Sequence, residues 1–134
     1  QVYQCINGRT MKRNIIKITE HGTITIPSET VWMSEAELVS LFGVIAPSIR
    51  AAIKAVYKSG ILKEHKAQRH IHLSDKIGVD VYSLEMVVAL AFRIHSYGAE
   101  RVRNAILERL YLRKEKTSIF FSLVKSIKSS EYQA

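Results

Sequence analysis

The apolar residues of this chain first alternate with polar ones and then change to a helical spacing. Between residues 14 and 27 isoleucine recurs at every second position on both sides of Gly22, which is typical of a β-hairpin that turns at the glycine. The predicted apolar face contains Ile16, Ile18, Ile24 and Ile26. Pro27 ends the second strand, and Val31–Met33 follows as a third short strand. This pattern predicts a small antiparallel sheet that acts as a scaffold.

From Ser34 to Gly60 the spacing predicts two short helices joined by a tight turn. Ser34 is the predicted N-cap of the first helix, and Glu37 three residues later completes a capping box. Gly43 stands where the chain leaves the first helix in a left-handed conformation. Pro47 falls in the first turn of the second helix, which accommodates proline because the N–H that it lacks has no helical partner.

The second helix, predicted over Pro47–Lys58, separates its charges from its apolar residues. Arg50, Lys54 and Lys58 lie at i, i+4 and i+8, so they line one face, and this segment contains no acidic residue. The residues expected to face the core are Ile49, Ile53, Val56 and Tyr57. An acidic first helix, a glycine turn and a helix with a basic outer stripe are typical of a helix-turn-helix DNA reader. A purely structural helical hairpin is the alternative.

A predicted β-hairpin follows the helix pair after a polar, partly helical connection over residues 61–68. Its strands are Arg69–Leu73 and Val79–Tyr82, and Asp75 and Gly78 supply the turn chemistry. A hairpin in this position corresponds to the wing of a winged helix, whose basic residues lie along phosphates. A solvent-exposed hairpin with ordinary charged edges is the alternative.

The predicted fold class is α+β, a winged-helix-like helix-turn-helix with an N-terminal β-hairpin and C-terminal helices. Ser83 is expected to cap a buried helix over 84–94, in which Arg93 would need a partner such as Asp80 or Glu100. Tyr97-Gly98 is expected to break this helix. The predicted division is an N-terminal arm (1–13), a winged-helix-like domain (14–116) and a C-terminal helix and tail (117–134). Within the domain, the helix-turn-helix covers 34–58, the wing hairpin 69–82, and the two helices 83–96 and 99–116.

Composition narrows the class of partner. The chain has 134 residues, a formal net charge of +8 and a pI of about 9.7, which favour a polyanion through counterion release from phosphates. An anionic membrane surface, or a basic protein with no nucleic-acid role, are the alternatives. The lone cysteine, Cys5, excludes an intramolecular disulfide and a cysteine zinc site. No apolar run is long enough to cross a membrane, and residues 1–10 lack the apolar segment of a signal peptide.

The residue pattern contains no catalytic constellation. The glycines are isolated and form no phosphate-binding loop. His65, His70 and His72 make the only metal-like cluster, and they lack a carboxylate or cysteine partner in the sequence. We therefore predict no catalytic residue, no cofactor and no metal. A metal-dependent nuclease would need these histidines to converge with an acidic residue.

Two blocks of the chain resemble the RhuM family of bacterial proteins, which are often described as virulence proteins. Residues 31–44, VWMSEAELVSLFGV, are similar to that family's V-W-x-(S/T)-x-A-x-(L/M)-x-x-L-F-G-V block, and residues 81–96, VYSLEMVVALAFRIHS, to its Y-x-L-(D/E)-M block. The resemblance covers residues 29–113. It implies a helix-turn-helix DNA-binding domain carried by bacterial genomes and mobile elements, and it assigns no catalytic residue. The chain departs from the family at residues 45–47, where Ile-Ala-Pro replaces a serine-led turn.

The combined hypothesis is a bacterial, cytoplasmic DNA-binding protein that regulates transcription or a mobile element without catalysis. The second helix enters the major groove of double-stranded DNA, with Ser48, Arg50 and Ala51 near base edges. The expected phosphate contacts are Lys54, Lys58, Lys63, Lys66, Arg69 and Lys76. Palindromic operators favour a homodimer through residues 117–128. The alternative is a protein-interaction module with no DNA contact, in which the Leu84–Ile94 helix and the C-terminal apolar face bind another protein and the basic charge only aids solubility.

Overall fold

The computed structural model describes residues 2–6, 9–27 and 31–111, which form a mixed α+β structure as the sequence predicts. The chain divides into two compact units, Gln1–Arg103 and Asn104–Ala134. The elements of the first unit are β1 (Val2–Ile6), β2 (Arg9–Arg13), β3 (Lys17–Ile18), β4 (Ile24–Thr25), β5 (Trp32–Ser34), α1 (Glu35–Phe42), α2 (Ala46–Ser59), α3 (Glu64–Ala67), β6 (Gln68–Ser74), β7 (Ile77–Ser83), α4 (Leu84–Ala91) and α5 (97–103). In the second unit, residues 104–111 are helical. The predicted helix and tail over 117–134, including the predicted dimer contact at 117–128, lie outside the described residues.

The described strands form three small antiparallel sheets. β1 pairs with β2 and β3 with β4, while the third sheet has the strand order β5-β7-β6. In the third sheet Met33, Tyr82 and Gln68 lie side by side on the three strands. The neighbouring row is Ser34, Val81 and Arg69. Because side chains alternate along a strand, Gln68 and Arg69 point to opposite faces of this sheet. On the Arg69 face lies an apolar cluster of Trp32, Ile71 and Val81, with Val79 against it.

The residues predicted as an N-terminal arm form a pair of strands. β1 and β2 pair along their full length, from Val2 opposite Arg13 to Ile6 opposite Arg9. Arg13 is only 2% exposed, and its Nη1 donates to the Trp32 carbonyl at 2.7 Å and to the Glu37 carboxylate at 2.6 Å. A partner 24 residues further along the chain, which no local pattern indicates, keeps this charge in the interior.

The hairpin predicted over residues 14–27 is present as β3–β4, with strands shorter than expected. Gly22 lies in its turn with a φ of 77°, as predicted. Ile18 lies opposite Ile24, but of the apolar positions predicted for this hairpin only Ile16 is fully buried. The predicted alternation is confirmed, because Lys17, Thr23 and Thr25 are exposed while Ile24 and Ile26 are half-buried; Ile18, at 37% exposed, is covered least.

The helix pair α1–α2 is built as the sequence predicts. The Ser34 hydroxyl accepts from the Glu37 N–H at 3.3 Å, and the Glu37 carboxylate accepts from the Ser34 N–H at 2.8 Å, which completes the capping box. Gly43 ends α1 in the left-handed region, with φ 64° and ψ 36°. A three-residue turn leads to α2, and the two helices are bent by 106°. Their buried residues are Leu38, Leu41, Phe42, Ile49, Ala52, Ile53 and Val56.

A single side chain joins the end of α1 to the start of α5. The Ser96 hydroxyl donates to the Phe42 carbonyl at 2.7 Å and accepts from the Ala99 N–H at 3.0 Å. Gly98 lies in the first turn of α5, where a Cβ atom would overlap the backbone of Leu41 and Phe42. The predicted helix break at Tyr97-Gly98 is therefore wrong. The break covers residues 92–96, and the glycine permits the close approach of α5 to α1.

Two further predictions in this region need correction. α4 ends at Ala91, so Arg93 lies in an exposed turn and needs no buried partner; the carboxylate of Asp80 pairs with His70 instead. Ser83 occupies the N-cap position of α4, but its side chain makes no capping hydrogen bond. The predicted serine cap is thus correct in its backbone position and wrong in its hydrogen bond.

The predicted wing hairpin is formed by β6 and β7. Its turn is Asp75-Lys76, because Ser74 lies opposite Ile77. Gly78 is therefore inside β7 and not in the turn as predicted. The imidazole ring of His70 lies over Gly78, in the space that a Cβ atom would occupy.

Candidate nucleic-acid interface

α2 presents its basic residues as one exposed stripe. Ile49, Ala52, Ile53 and Val56 bury the opposite side of the helix. At about 100° per residue, Arg50, Ala51, Lys54 and Lys58 fall within a sector of about 100°. The exposed residues predicted to contact DNA on this helix are Ser48, Arg50, Ala51, Lys54 and Lys58. The structure thus brings these residues together on a helix that carries no acidic residue.

Arg50 is the one residue of this stripe that has an ionic partner within the described residues. Its Nη1 donates to the Glu35 carboxylate in the first turn of α1 at 2.7 Å. The Arg50 side chain remains 59% exposed and that of Glu35 32% exposed, so solvent screens the pair. Arg50 can therefore exchange this contact for another anion at small cost, and Glu35 places one negative charge beside the basic stripe.

The remaining predicted phosphate contacts lie away from α2. Lys63 and Lys66 lie before and within α3, and Lys76 lies in the β6–β7 turn. All three are exposed. Across the part of the chain that the structure describes, neither these lysines nor Lys54 and Lys58 take part in an ion pair. Their ammonium groups are free to meet phosphates.

Arg69 does not extend the α2 stripe. Its guanidinium lies 4.3 Å from the centroid of the Trp32 ring, a cation–π contact on the apolar face of the third sheet. The opposite face is joined to α2, because the Tyr57 hydroxyl donates to the Gln68 side-chain oxygen at 2.9 Å. Arg69 and α2 therefore lie against opposite faces of the sheet. From the sequence, all of these basic residues were predicted to contact one DNA molecule. The linear pattern does not show which of them lie on the same face of the sheet.

The histidines of the predicted metal-like cluster are arranged in part as expected. His70 and His72 share a face of β6 and meet edge to face with their ring centroids 5.3 Å apart. The His70 Nδ1 lies 2.8 Å from the Asp80 carboxylate. His65 lines the same surface depression as His70 and Asp80. Within the described residues, however, no group of three or more His, Cys, Asp and Glu side chains is arranged to hold a metal ion.

The Arg13–Glu37 pair is the feature of α1 that sequence reasoning missed. Burial acts to raise the pKa of Glu37, but hydrogen bonds from Arg13 and Ser34, together with the Arg13 charge, lower this pKa below its ordinary value. Arg13 also donates to the Trp32 carbonyl, so it ties α1 to β5. The pair therefore connects the first turn of α1 to β2 and β5. The capping motif identified Glu37, but no local signal identified Arg13.

Two tyrosines separate α2 from the third sheet. Burial raises the pKa of Tyr57 to about 12, with smaller contributions from Tyr82, Glu64 and Asp80. Burial likewise raises the pKa of Tyr82, assisted by Asp80 and nearby glutamates. Both phenols therefore stay neutral at physiological pH, and Tyr57 acts as a hydrogen-bond donor that holds the C-terminal half of α2.

The chain was compared with protein-family models, with curated proteins and with solved structures, and none of the three comparisons finds a match. Among the described residues no single helix is long and apolar enough to cross a membrane. The helices α1 and α2 together have the length and apolar composition of a membrane span, but the chain bends by 106° between them.

Proposed function

We propose that this chain is a RhuM-like DNA-binding protein of a bacterial cytoplasm that regulates transcription or a mobile element by binding, without catalysis. The observation that carries the proposal is the exposed face of α2, with Arg50, Lys54 and Lys58 in one stripe and no acidic residue on the helix. A positive stripe on the exposed face of a helix attracts the phosphates that border the major groove.

The connections around α2 support this proposal. In a helix-turn-helix the two helices usually cross at about 90–120° and are joined by a turn of three or four residues. The angle between α1 and α2 is 106°, and three residues join them. The pair lies between β5 and the β6–β7 hairpin, and the sheet order is β5-β7-β6. This arrangement agrees with a winged helix whose wing is the turn at Asp75-Lys76.

In the proposed complex α2 lies in the major groove of double-stranded DNA. Ser48, Arg50 and Ala51 are near its N-terminal half, where a recognition helix meets base edges. Lys54 and Lys58 reach phosphates on one side, and the lysines of α3 and of the hairpin turn reach phosphates nearby. Arg69 is less suited to this role because it stacks on Trp32. Binding to a palindromic site would use a homodimer, formed through residues 117–128.

The test is fluorescence anisotropy of a labelled duplex across a salt series. Lys54→Glu/Lys58→Glu should abolish tight binding, whereas the milder Lys54→Ala/Lys58→Ala should lower the magnitude of the salt slope by about 2, since each lost phosphate contact removes about 0.9 from the slope. The matched control is Lys17→Glu/Arg93→Glu, which makes the same charge change at two exposed residues outside α2. Equal losses in both double charge reversals would show that only net charge matters, and this would refute a specific role for α2.

A second variant tests the contact between Arg50 and Glu35. Glu35→Gln removes the negative charge beside the stripe and releases Arg50, so we expect tighter duplex binding, by about two- to fivefold at low salt. The expected gain shrinks as salt rises because both groups are screened by solvent. Weaker binding by this variant would mean that Glu35 is needed to orient Arg50, and Arg50 would then be a fixed base contact.

The alternative function is a protein-interaction module without DNA contact. The position of Arg69 on the other face of the sheet and the exposed aromatic residues Phe92 and Tyr97 favour it. The same anisotropy experiment separates the two proposals. A wild-type protein that binds no duplex at low salt would rule out the DNA proposal and leave the module.

A further inference from the structure

The helices α1 and α4 begin in the same way but are capped differently. Each follows a β-strand, and each has serine at the N-cap, with φ −78° and ψ 166° at Ser34 and φ −69° and ψ 168° at Ser83. At α1 the third helical residue is Glu37, whose carboxylate completes the capping box. At α4 the third residue is Met86, which has no oxygen to offer. The first turn of α4 therefore keeps N–H groups that no side-chain cap satisfies.

The hydroxyl group of Ser83 is also without a partner. The residue is only 5% exposed, and its Oγ is buried with no hydrogen bond to any described residue. Buried hydroxyl groups are nearly always hydrogen-bonded, because desolvating one without a partner costs free energy. At Ser34, by contrast, the equivalent hydroxyl group accepts the Glu37 N–H. The free hydroxyl of Ser83 is therefore a donor that lacks its acceptor.

Ser83 lines a cavity of about 300 Å³ between the end of α2 and the beginning of α4. A water molecule occupies roughly 30 Å³ of the liquid, so the space is large enough for a tetrahedral oxyanion and accompanying water. Lys63 and Lys66 line the same cavity, and neither has an ionic partner in the described part of the chain. Glu85 is the one acidic residue of the lining, so two ammonium groups oppose one carboxylate.

We propose that the first turn of α4, with Ser83, Lys63 and Lys66, binds a phosphate group. The positive end of the helix dipole and the free N–H groups at the start of α4 favour an anion. The Ser83 hydroxyl donates to one phosphate oxygen, and the two lysines neutralise its charge. The phosphate is either a free ion or monoester, or one phosphate of a nucleic-acid backbone. The site shares Lys63 and Lys66 with the proposed DNA contacts but not the basic stripe of α2, so a titration with inorganic phosphate tests it separately from duplex binding.

The first test is a ¹H–¹⁵N NMR titration with inorganic phosphate, compared with sodium chloride at equal ionic strength. We expect saturable shifts of the backbone amides of residues 84–86 with phosphate only. Ser83→Ala should weaken phosphate binding about tenfold, the usual effect of losing one hydrogen bond to a charged group. Lys63→Ala/Lys66→Ala should weaken it further. The matched control, Lys17→Ala/Arg93→Ala, removes two exposed basic residues that lie outside both α2 and this cavity, and it should leave the affinity unchanged.

Thermal unfolding separates binding from a structural role of Ser83. Without phosphate, Ser83→Ala should unfold at or above the wild-type temperature, since it removes an unsatisfied hydroxyl. At equal phosphate concentration, the unfolding temperature should rise less in the variant than in the wild type. The proposal is overturned if phosphate causes no saturable shift at residues 84–86, or if the Lys17/Arg93 control loses as much affinity as the Lys63/Lys66 variant.

Duplex DNA distinguishes the two sources of the phosphate. Ser83→Ala separates the two sources, because the proposed DNA contacts include Lys63 and Lys66 but not Ser83. If a backbone phosphate occupies the site, Ser83→Ala should weaken duplex binding. If a free phosphate occupies it, Ser83→Ala should bind duplex as the wild type does while its phosphate titration is impaired. Phosphate shifts at residues 84–86 in a protein that binds no duplex would refute the DNA function and support this site.

Discussion

Replacing Arg13 by methionine tests how much this fold depends on one buried ion pair. The guanidinium is 2% exposed and makes two short hydrogen bonds, one to Trp32 and one to Glu37. Removing one partner of a buried pair costs about 3–5 kcal/mol, chiefly because the other charge is left without compensation. The Glu37 side chain is 21% exposed and keeps its bond from the Ser34 N–H, so partial hydration places the expected loss near about 3 kcal/mol.

The Arg50–Glu35 pair supplies a matched control. Its Nη1–Oε1 distance is 2.7 Å against 2.6 Å for Arg13–Glu37, so the two pairs differ mainly in burial. Arg50→Met should cost less than about 1 kcal/mol, as is usual for pairs in contact with solvent. The difference between the two arginine variants therefore measures the effect of burial at nearly constant geometry.

Urea unfolding gives both free energies. The fluorescence of Trp32, the single tryptophan, and far-UV circular dichroism should give coincident transitions. Arg13→Met/Glu37→Gln closes a double-mutant cycle, because glutamine retains the capping box and removes the charge. We expect a coupling energy of about 2 kcal/mol, within the range for residues in contact. If Arg13→Met loses no more stability than Arg50→Met, the guanidinium is not buried against Glu37 in solution, and the reasoning is refuted.

Three further predictions concern single residues. Folding lowers the pKa of the Glu37 carboxyl, so the ionised carboxylate contributes its full stability to the fold above pH 4.5, the ordinary pKa. That contribution is lost as the pH falls through the lower pKa of the folded protein. Below pH 4.5 the free energy of unfolding, measured in urea, should therefore fall more steeply for the wild type than for Glu37→Gln. Gly43→Ala meets no neighbouring atom and should cost only about 1 kcal/mol of backbone strain, whereas Gly98→Ala overlaps the backbone of α1 and should cost about 2 kcal/mol or more in the same assay. In an ultraviolet titration of the folded protein, Tyr57→Phe should remove a phenol that titrates near pH 12, and loss of a phenol near the ordinary value of 10 would contradict its burial.

The sequence by itself determined the features that rest on neighbouring residues. The Ser34–Glu37 capping box, the left-handed Gly43 and the segregated faces of α2 are all set within a few positions, and all are present in the structure. Hydrogen bonds and side-chain spacing over one or two helical turns are local, so a linear pattern contains them. The exposed residues of the proposed DNA-contacting helix were predictable for this reason.

The tertiary structure decided the features that depend on which surfaces meet. The burial of Arg13 needs Glu37 and Trp32, and the need for glycine at position 98 arises from the backbone of α1. Arg69 is separated from α2 because strand alternation turns it toward Trp32 while Gln68 turns toward Tyr57. The unpaired hydroxyl of Ser83 likewise becomes evident only once the first turn of α4 is in place beside Lys63 and Lys66. These contacts join residues distant in sequence, and their energies depend on burial, which no local spacing records.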